Sequence, residues 1–417
     1  MRQSSSRPGR TRRIGPLGRI ALACAGLAVV ATGCQFPGSS PKAADPTAST
    51  TPSPEPPPTP TPTPDPPAQI TVSPNGKGKA LITDPVEVKA SGGRLTSVKV
   101  TDSHGKAVGG KLDAKKTSWS NAADNNLTGA TVYTVKAKAR NGDGNVTSVT
   151  RKFTTGAMTA LTSTLAPLDN DTVGVGMPIV VQFSSNVEDR KTIQKRMKVT
   201  SDPGVTGAWH WFNDREVHYR PKAYWPAGTD VKLSMALRGV KASDSLIGIT
   251  NRTRSFHIGR SQVSKVDLDN HTLKYYVNGE LDRTIPITGG KNGFATRSGI
   301  KVVLQNEHDI TMRSETIGIK NKKDPNYYEQ FVEWAIRVTW SGEFVHSAPW
   351  SVASQGNSNV SHGCVGMSTA NADYLYHRTL RGDIVDVTGS NVWMERYGNG
   401  YGDWNYTWSQ WKEGSAL

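Results

Sequence analysis

The sequence predicts a mainly β chain: two antiparallel β-sandwiches followed by a third β-rich domain with few helices. Three observations predict this. Short runs with strict apolar/polar alternation recur along most of the chain, such as Val86-Glu87-Val88 and Thr131-Val132-Tyr133-Thr134-Val135-Lys136-Ala137-Lys138-Ala139. Clusters of Gly, Asn and Asp, among them Asn141-Gly142-Asp143-Gly144 and Asn278-Gly279, punctuate the runs as turns. A helical pattern is convincing only over residues 369–380, where Ala372, Leu375 and Tyr376 share one side.

At 417 residues the chain exceeds one ordinary core and suits two to four domains at roughly 100 to 200 residues each. Fifty Lys and Arg against 35 Asp and Glu leave a formal charge of +15, a balance that suits nucleic acid, an anionic membrane or an anionic polymer. Arg2, Arg7, Arg10, Arg12, Arg13 and Arg19 sit in the leader, and the remaining cations are scattered among Thr, Ser and Gly. Without an Arg-rich helix or aromatic-basic alternation, nucleic acid is not expected as a partner.

Residues 1–33 have the anatomy of an export signal: a basic start, then an apolar run from Ile20 to Ala31 that is short for a bilayer. Ala31-Thr32-Gly33-Cys34 resembles the lipobox of bacterial lipoproteins, which implies cleavage before Cys34, lipidation of its thiol and a membrane-anchored exported protein. Ordinary cleavage near Ala31 is the plainer alternative. Of the three cysteines, Cys24 lies in the apolar run and Cys34 at the cleavage site, so only Cys364 remains for the folded part. No internal disulfide is therefore expected.

Residues 34–68, rich in Pro, Thr, Ser and Ala, offer almost nothing to bury and are expected to form a disordered linker. At about 3.1 Å per residue, a polyproline-biased spacer of this length would reach on the order of 90 Å. Residues 69–155 are assigned to a first sandwich of about seven strands and residues 156–260 to a second, with a short helix over residues 190–197. His210 and His218 stand near Trp209, Trp211 and Trp225, with no acidic ligand at a useful spacing, and read as core and rim rather than as a metal site. Residues 261–389 make the third domain, in which Asn278-Gly279 turns a hairpin and residues 335–340 and 343–346 pair around Ser341-Gly342. The tail, residues 390–417, carries Trp393, Trp404, Trp408 and Trp411 and is expected to pack back on a neighbour.

The chemistry concentrates around Cys364, with His346 and His362 nearby in sequence. A cysteine attacks as the thiolate and needs a group that lowers its pKa or takes its proton. His346, at the end of a strand, can do this if the intervening loop folds back. No acid flanks it, so a backbone carbonyl is its expected orienting partner. The residues after the thiol read as a small-residue turn into a helix, whose N–H groups would face a tetrahedral oxyanion. A metal site built from His346, His362 and Cys364 is the rival, though it lacks an obvious fourth ligand, and a buried structural cysteine is the plainer alternative.

His346, then fourteen residues, then Ser361-His362-Gly363-Cys364 resembles the catalytic motif of the L,D-transpeptidases. Two immunoglobulin-like modules, the Glu216–Pro221 region, the cysteine domain and the aromatic extension together resemble the actinobacterial branch of that family. The resemblance implies a wall-facing enzyme that crosslinks peptidoglycan stem peptides and uses no metal or other cofactor. In that scheme Cys364 attacks the diamino-acid carbonyl of a tetrapeptide and expels D-Ala, and a neighbouring stem's amine resolves the thioester. His346 would be the base, oriented by the Ser347 carbonyl, with Ser361 and His362 holding the loop and the amides of Gly363 and Cys364 as oxyanion donors. Met312 and Tyr328 would line the substrate pocket and its lid. Trp340 reads as a core aromatic or a neighbour of the pocket. Carbapenem-type β-lactams become expected covalent inhibitors. An L,D-carboxypeptidase, a protein-attaching variant and a non-catalytic wall-binding lipoprotein are the alternatives. One departure stands out: Gly366 occupies the place where the family usually has Asn or Arg, which leaves substrate preference and β-lactam acylation open.

Overall fold

The computed structural model describes residues 63–121 and 126–417. The signal segment, Cys34 and the linker as far as residue 62 lie outside the described residues.

The first sandwich stacks two four-stranded sheets. One orders Gln69–Ser73, Glu87–Ser91, Ser118–Asn121 and Gly110–Leu112; the other orders Lys79–Ala80, Val146–Thr155, Val132–Arg140 and Arg94–Asp102. Period two is visible along Val132–Arg140, where Tyr133, Val135, Ala137 and Ala139 are buried while Lys136, Lys138 and Arg140 are exposed. Tyr133 stacks on Phe153 at 5.3 Å inside this core. Residues 65–68, at the end of the linker assignment, already engage the sandwich: Asn141 donates to the Asp65 carbonyl at 2.9 Å, and Ala68 is buried.

The second sandwich again stacks two four-stranded sheets, and its core includes Met177, Phe183, Trp209, Trp211, Trp225 and Leu233. Its helix, Arg190–Lys195, begins at Asp189, whose carboxylate accepts from the Thr192 amide at 2.9 Å. It stops before Met197, which starts a strand paired with Asp230–Ala236. Ile247 of this module is fully buried in the core of the first, and Arg238 reaches across to the Thr83 carbonyl at 3.0 Å. These contacts close the seam between the sandwiches.

The third domain has a five-stranded sheet, ordered Glu280–Pro286, Thr272–Val277, Gln262–Asp267, Ile384–Thr388 and Gly299–Val302. A four-stranded sheet lies with it, ordered Gln305–Arg313, Glu329–Arg337, Phe344–Ser347 and Val365–Met367. Asn278 and Gly279 take φ of 51° and 88°, the left-handed pair that a tight two-residue hairpin requires. The helix expected over residues 369–380 is shorter, Thr369–Tyr376. Beyond it side chains take over the backbone groups: Asn306 donates to the carbonyls of Tyr376 and Thr379, and Asp383 accepts from the Leu380 amide. Ala372 and Leu375 bury its inner face in a core with Ile336, Val345 and Met367. Trp340 departs from both expectations, because the strand ends at Arg337 and the indole stands 52% exposed in the following turn, outside the pocket lining.

The tail packs on the second sandwich. Trp411 is fully buried and donates to the Ala208 carbonyl at 2.9 Å, while Trp404 donates to the Gly176 carbonyl at 2.8 Å. The Arg220 guanidinium lies over Trp404 and Trp411 at 4.6 and 4.5 Å. His218, buried beside it, touches Asp403 at 2.8 Å and Glu216 at 3.0 Å. Main-chain bonds from Gly174 to Arg381 and from Gly176 to Gly382, both 2.8 Å, join the sandwich to the third domain. A Cβ on Gly174 would meet the Asp383 nitrogen at 2.2 Å, so this seam needs glycine.

Burial alone would lower the His218 pKa, but Asp403 and Glu216 outweigh it and raise it from 6.5 to about 9. A group raised on folding stabilises fully below its unfolded value, and that stabilisation is lost as pH rises through the folded value. The clasp is thus worth up to about 3 kcal/mol near pH 6 and little by pH 10. His218→Gln is expected to lower the melting temperature several degrees at pH 6 and much less at pH 10; an equal drop at both would exclude a charged clasp.

Candidate active site

The strand Phe344–Ser347 is buried along its whole length. Val365–Met367 pairs with it in parallel, placing Val345 beside Val365 and His346 beside Gly366. Positions 346, 364 and 366 therefore share one face of the sheet. Parallel neighbours need a crossover, which runs through the 3-10 turn Pro349–Ser354 and the loop before Cys364.

Thr288 pins that loop. Its backbone exchanges bonds with Gly366 at 2.9 and 2.8 Å. Its hydroxyl donates to the Ser358 carbonyl at 2.8 Å and accepts from the Val360 amide at 2.9 Å. Asn359 adds a second pin, accepting from the Gly289 amide and donating to the Leu268 carbonyl. Sequence reasoning missed both residues, since their partners lie far away in the chain. The turn before Cys364 is held by Ser361, whose hydroxyl donates to the Cys364 carbonyl at 2.6 Å and accepts from the Gly363 amide at 3.1 Å. Gly363 has φ of 117°, open to glycine and strained for other residues.

The small-residue turn was expected after the thiol, leading into a helix. It precedes the thiol instead, because Val365-Gly366-Met367 is taken up by strand pairing, and the helix starts only past Ser368. The Gly363 amide is already spent on Ser361, so it serves an oxyanion only by exchanging that bond.

His346 is buried, and its Nδ1 lies 2.7 Å from the Ser347 carbonyl. A carbonyl only accepts, so Nδ1 carries the proton and Nε2 keeps its lone pair. Burial pushes the ring pKa down to about 4, against the pull of that bond. The half-buried Cys364 packs against Val332, Ala335 and Phe344, and burial pushes its thiol up to about 12. Its hydrogen bond goes to the Gly342 carbonyl at 3.6 Å rather than to His346. The resting pair is a neutral thiol beside a neutral imidazole.

The Gly342 turn is itself anchored. Glu343 accepts from Lys301 at 2.7 Å and from Arg297 at 3.0 Å, and its amide donates to the Thr339 hydroxyl at 2.8 Å. Asn399 of the tail accepts from the Ser341 amide at 2.7 Å. Burial lowers the Lys301 pKa, which Glu343 opposes.

Cys364, His346 and Gly366 line a cavity of about 310 Å³. Met312, Tyr328 and Gln330 line it too, as do Trp350, Ser351 and Ser354 of the 3-10 turn. The His362 ring contacts Phe294 at 4.6 Å and Tyr328 at 4.8 Å, with burial and Lys291 lowering its pKa. The structure thus brings together Cys364, His346, Ser347, Ser361, His362, Met312, Tyr328 and Gly366; among the described residues no His, Cys, Asp and Glu group forms a metal site. Such an arrangement suits covalent acyl transfer: a nucleophile, a base with a fixed tautomer, and a pocket beside them.

The chain matches the bacterial Ig domain family over residues 78–241, across both sandwiches, and the L,D-transpeptidase catalytic domain family over residues 261–387. It is 37% identical over 333 residues to L,D-transpeptidase 2 of Mycobacterium tuberculosis (strain CDC 1551 / Oshkosh), covering 80% of this chain and 81% of that protein. The chain belongs to the L,D-transpeptidase family. L,D-transpeptidase 5 of Mycobacterium tuberculosis (strain ATCC 25618 / H37Rv) is 33% identical over 341 residues, covering 80% of this chain and 73% of the relative. Among solved structures, an L,D-transpeptidase from Mycobacterium smegmatis aligns at 33% identity and a TM-score of 0.47, over 55% of this chain and all of its own. An L,D-transpeptidase in complex with imipenem aligns at 32% identity and a TM-score of 0.48, over 55% of this chain and 99% of its own.

Within this L,D-transpeptidase, Gly366 has a steric reason. A Cβ there would stand 2.9 Å from the Ala348 Cβ and 3.1 Å from the Thr288 Cγ2. The place of a polar side chain is filled by these neighbours, and the Ser351 hydroxyl lies 3.9 Å away. Gly366→Ala is expected to destabilise by about 1–3 kcal/mol through overpacking, and Ala348→Gly in the same chain to restore most of the loss in urea unfolding. A neutral thiol gives a second expectation: iodoacetamide labelling of Cys364 in the free enzyme rises steadily from pH 6 to pH 10. A plateau beginning between pH 6 and pH 8 would show a thiolate–imidazolium pair instead.

Proposed function

We infer that the protein crosslinks peptidoglycan stem peptides by acyl transfer through Cys364. The Cys364 sulfur attacks the carbonyl of the diamino acid in a tetrapeptide stem while His346 Nε2 takes the thiol proton. The C–N bond to the terminal D-Ala breaks, and the same proton passes from His346 to the departing amine. A side-chain amine of a second stem then attacks the thioester, loses its proton to His346, and returns the sulfur as a thiol on release of the crosslinked product. The observation that carries this reading is the His346 tautomer, locked by Ser347 with Nε2 unprotonated in the pocket that Cys364 lines. Carbapenem-type β-lactams are proposed to acylate the same sulfur, supported by the imipenem complex of the related enzyme.

Incubation with tetrapeptide stems is expected to release D-Ala and yield a dimer by mass spectrometry, with a thioester adduct on Cys364. Cys364→Ala should abolish the adduct and leave the melting temperature nearly unchanged. D-Ala release without dimer would instead indicate hydrolysis by an L,D-carboxypeptidase, and no adduct would overturn acyl transfer.

We also propose that the protein is exported and held at the membrane by a lipidated Cys34, facing the wall, on the strength of the basic leader, apolar run and small residues before that cysteine. Cys34→Ser is expected to move the protein from the membrane to the soluble fraction; unchanged membrane association would exclude the anchor.

A further inference from the structure

Acyl transfer makes no use of the outer face of the first sandwich. Arg94–Asp102, Val132–Arg140 and Val146–Thr155 lie side by side in one antiparallel sheet. Arg94, Lys99, Lys136, Lys138, Arg140 and Lys152 project outward from it, all of them exposed. The register sets like charges face to face, with Lys99 opposite Lys136 and Arg94 opposite Arg140. Of the other outward positions six carry hydroxyls, Ser97, Thr101, Thr134, Ser148, Thr150 and Thr154, and Val132 and Val146 are apolar. No carboxylate shares these positions, and among the described residues none of the six cations forms an ion pair. The carboxylates at the margins are engaged elsewhere: Asp102 accepts the amides of His104 and Lys106, and Asp143 accepts the amide of Asp65. Asp65 also shares with Arg94 and Arg140 a groove that bounds the basic area at one end.

This charge distribution is not a property of the whole domain. On the opposite sheet Lys89 is paired with Glu87 at 2.8 Å, and in the second sandwich His257 is paired with Asp230. Like charges directly across a ladder are destabilising. A ligand that brings negative charge removes that repulsion and releases its own counterions.

We propose that this face is a docking site for an anionic phosphodiester polymer, a polyol-phosphate or sugar-phosphate chain of the wall. Cations recur at about 7 Å along a strand and about 5 Å between strands, a grid that an extended chain of phosphates can follow. The interspersed hydroxyls donate to phosphate oxygens. The face carries no aromatic ring to stack on a base or a neutral sugar. Its exposed apolar side chains, Val132 and Val146, stand at opposite ends of the ladder, so they form no wedge for a bilayer. The twist of the sheet also favours a chain over a flat membrane. This site lies on a different domain from the Cys364 pocket; it rests on the proposed wall-facing location and not on the acyl-transfer chemistry.

The test uses the full chain and fluorescent poly(glycerol phosphate), read by anisotropy from 50 to 300 mM NaCl. The unmodified protein is expected to bind with an affinity that falls steeply with salt. Lys99→Gln, Lys136→Gln and Lys138→Gln combined should weaken binding at least about tenfold at 50 mM salt and flatten the salt dependence. Melting temperature should stay the same or rise slightly, since the Lys99–Lys136 repulsion is removed, and thioester formation on a soluble stem should be unchanged. A control of equal charge loss on the second sandwich, Lys191→Gln, Lys195→Gln and Lys198→Gln, should keep the affinity. The proposal is overturned if the unmodified protein does not bind, or if both triple variants bind alike. Tighter binding to phosphatidylglycerol vesicles or to duplex DNA than to the polymer, at matched phosphate, overturns it too.

Discussion

The parallel pairing of Phe344–Ser347 with Val365–Met367 is the constraint on which the site depends. It puts His346 and Cys364 on one sheet face with a fixed offset, and it forces the chain between them into a crossover. That crossover would drift if it were tied only at its ends. Thr288 and Asn359 tie it in the middle, so a segment outside the motif fixes the geometry inside it. The absence of a side chain at Gly366 belongs to the same constraint, since the Thr288 backbone and the Ala348 methyl must both approach that strand.

Burial decides the state of the two reacting groups. It disfavours the charged form of each, which holds imidazole and thiol both neutral. The ion pair that a cysteine nucleophile needs is therefore not stored in the resting site. In the proposed reaction it would form as the sulfur leaves the Gly342 carbonyl and turns toward an incoming carbonyl, whose developing charge rewards the transfer. The Gly342 carbonyl is no loose acceptor, because Lys301, Arg297 and Asn399 hold the turn that carries it.

The sequence made Cys364 and His346 legible because their signal is local: one cysteine left for the folded part, two histidines close by, and a glycine before the thiol. Fold class was legible for the same reason, through alternation that needs no partner to be seen. Structure that rests on distant partners was not. His218 reads as a core histidine, and nothing near it announces Asp403 at the far end of the chain. The strand after Cys364 is three residues long, too short for a periodic signal, so the turn was expected on its wrong side. The aromatic tail announced that it would pack, but not that Arg220 would be its target.

The protonated, half-buried thiol has a consequence for chemical durability. Peroxides and disulfides react with cysteine through the thiolate, so a sulfur held protonated climbs slowly toward sulfenic acid and mixed disulfides. Cys364 is the only cysteine among the described residues, with no resolving partner to rescue it once oxidised. Packing it against Val332 and Phe344, with its S–H donated to the Gly342 carbonyl, slows its reaction with oxidants while the site is at rest.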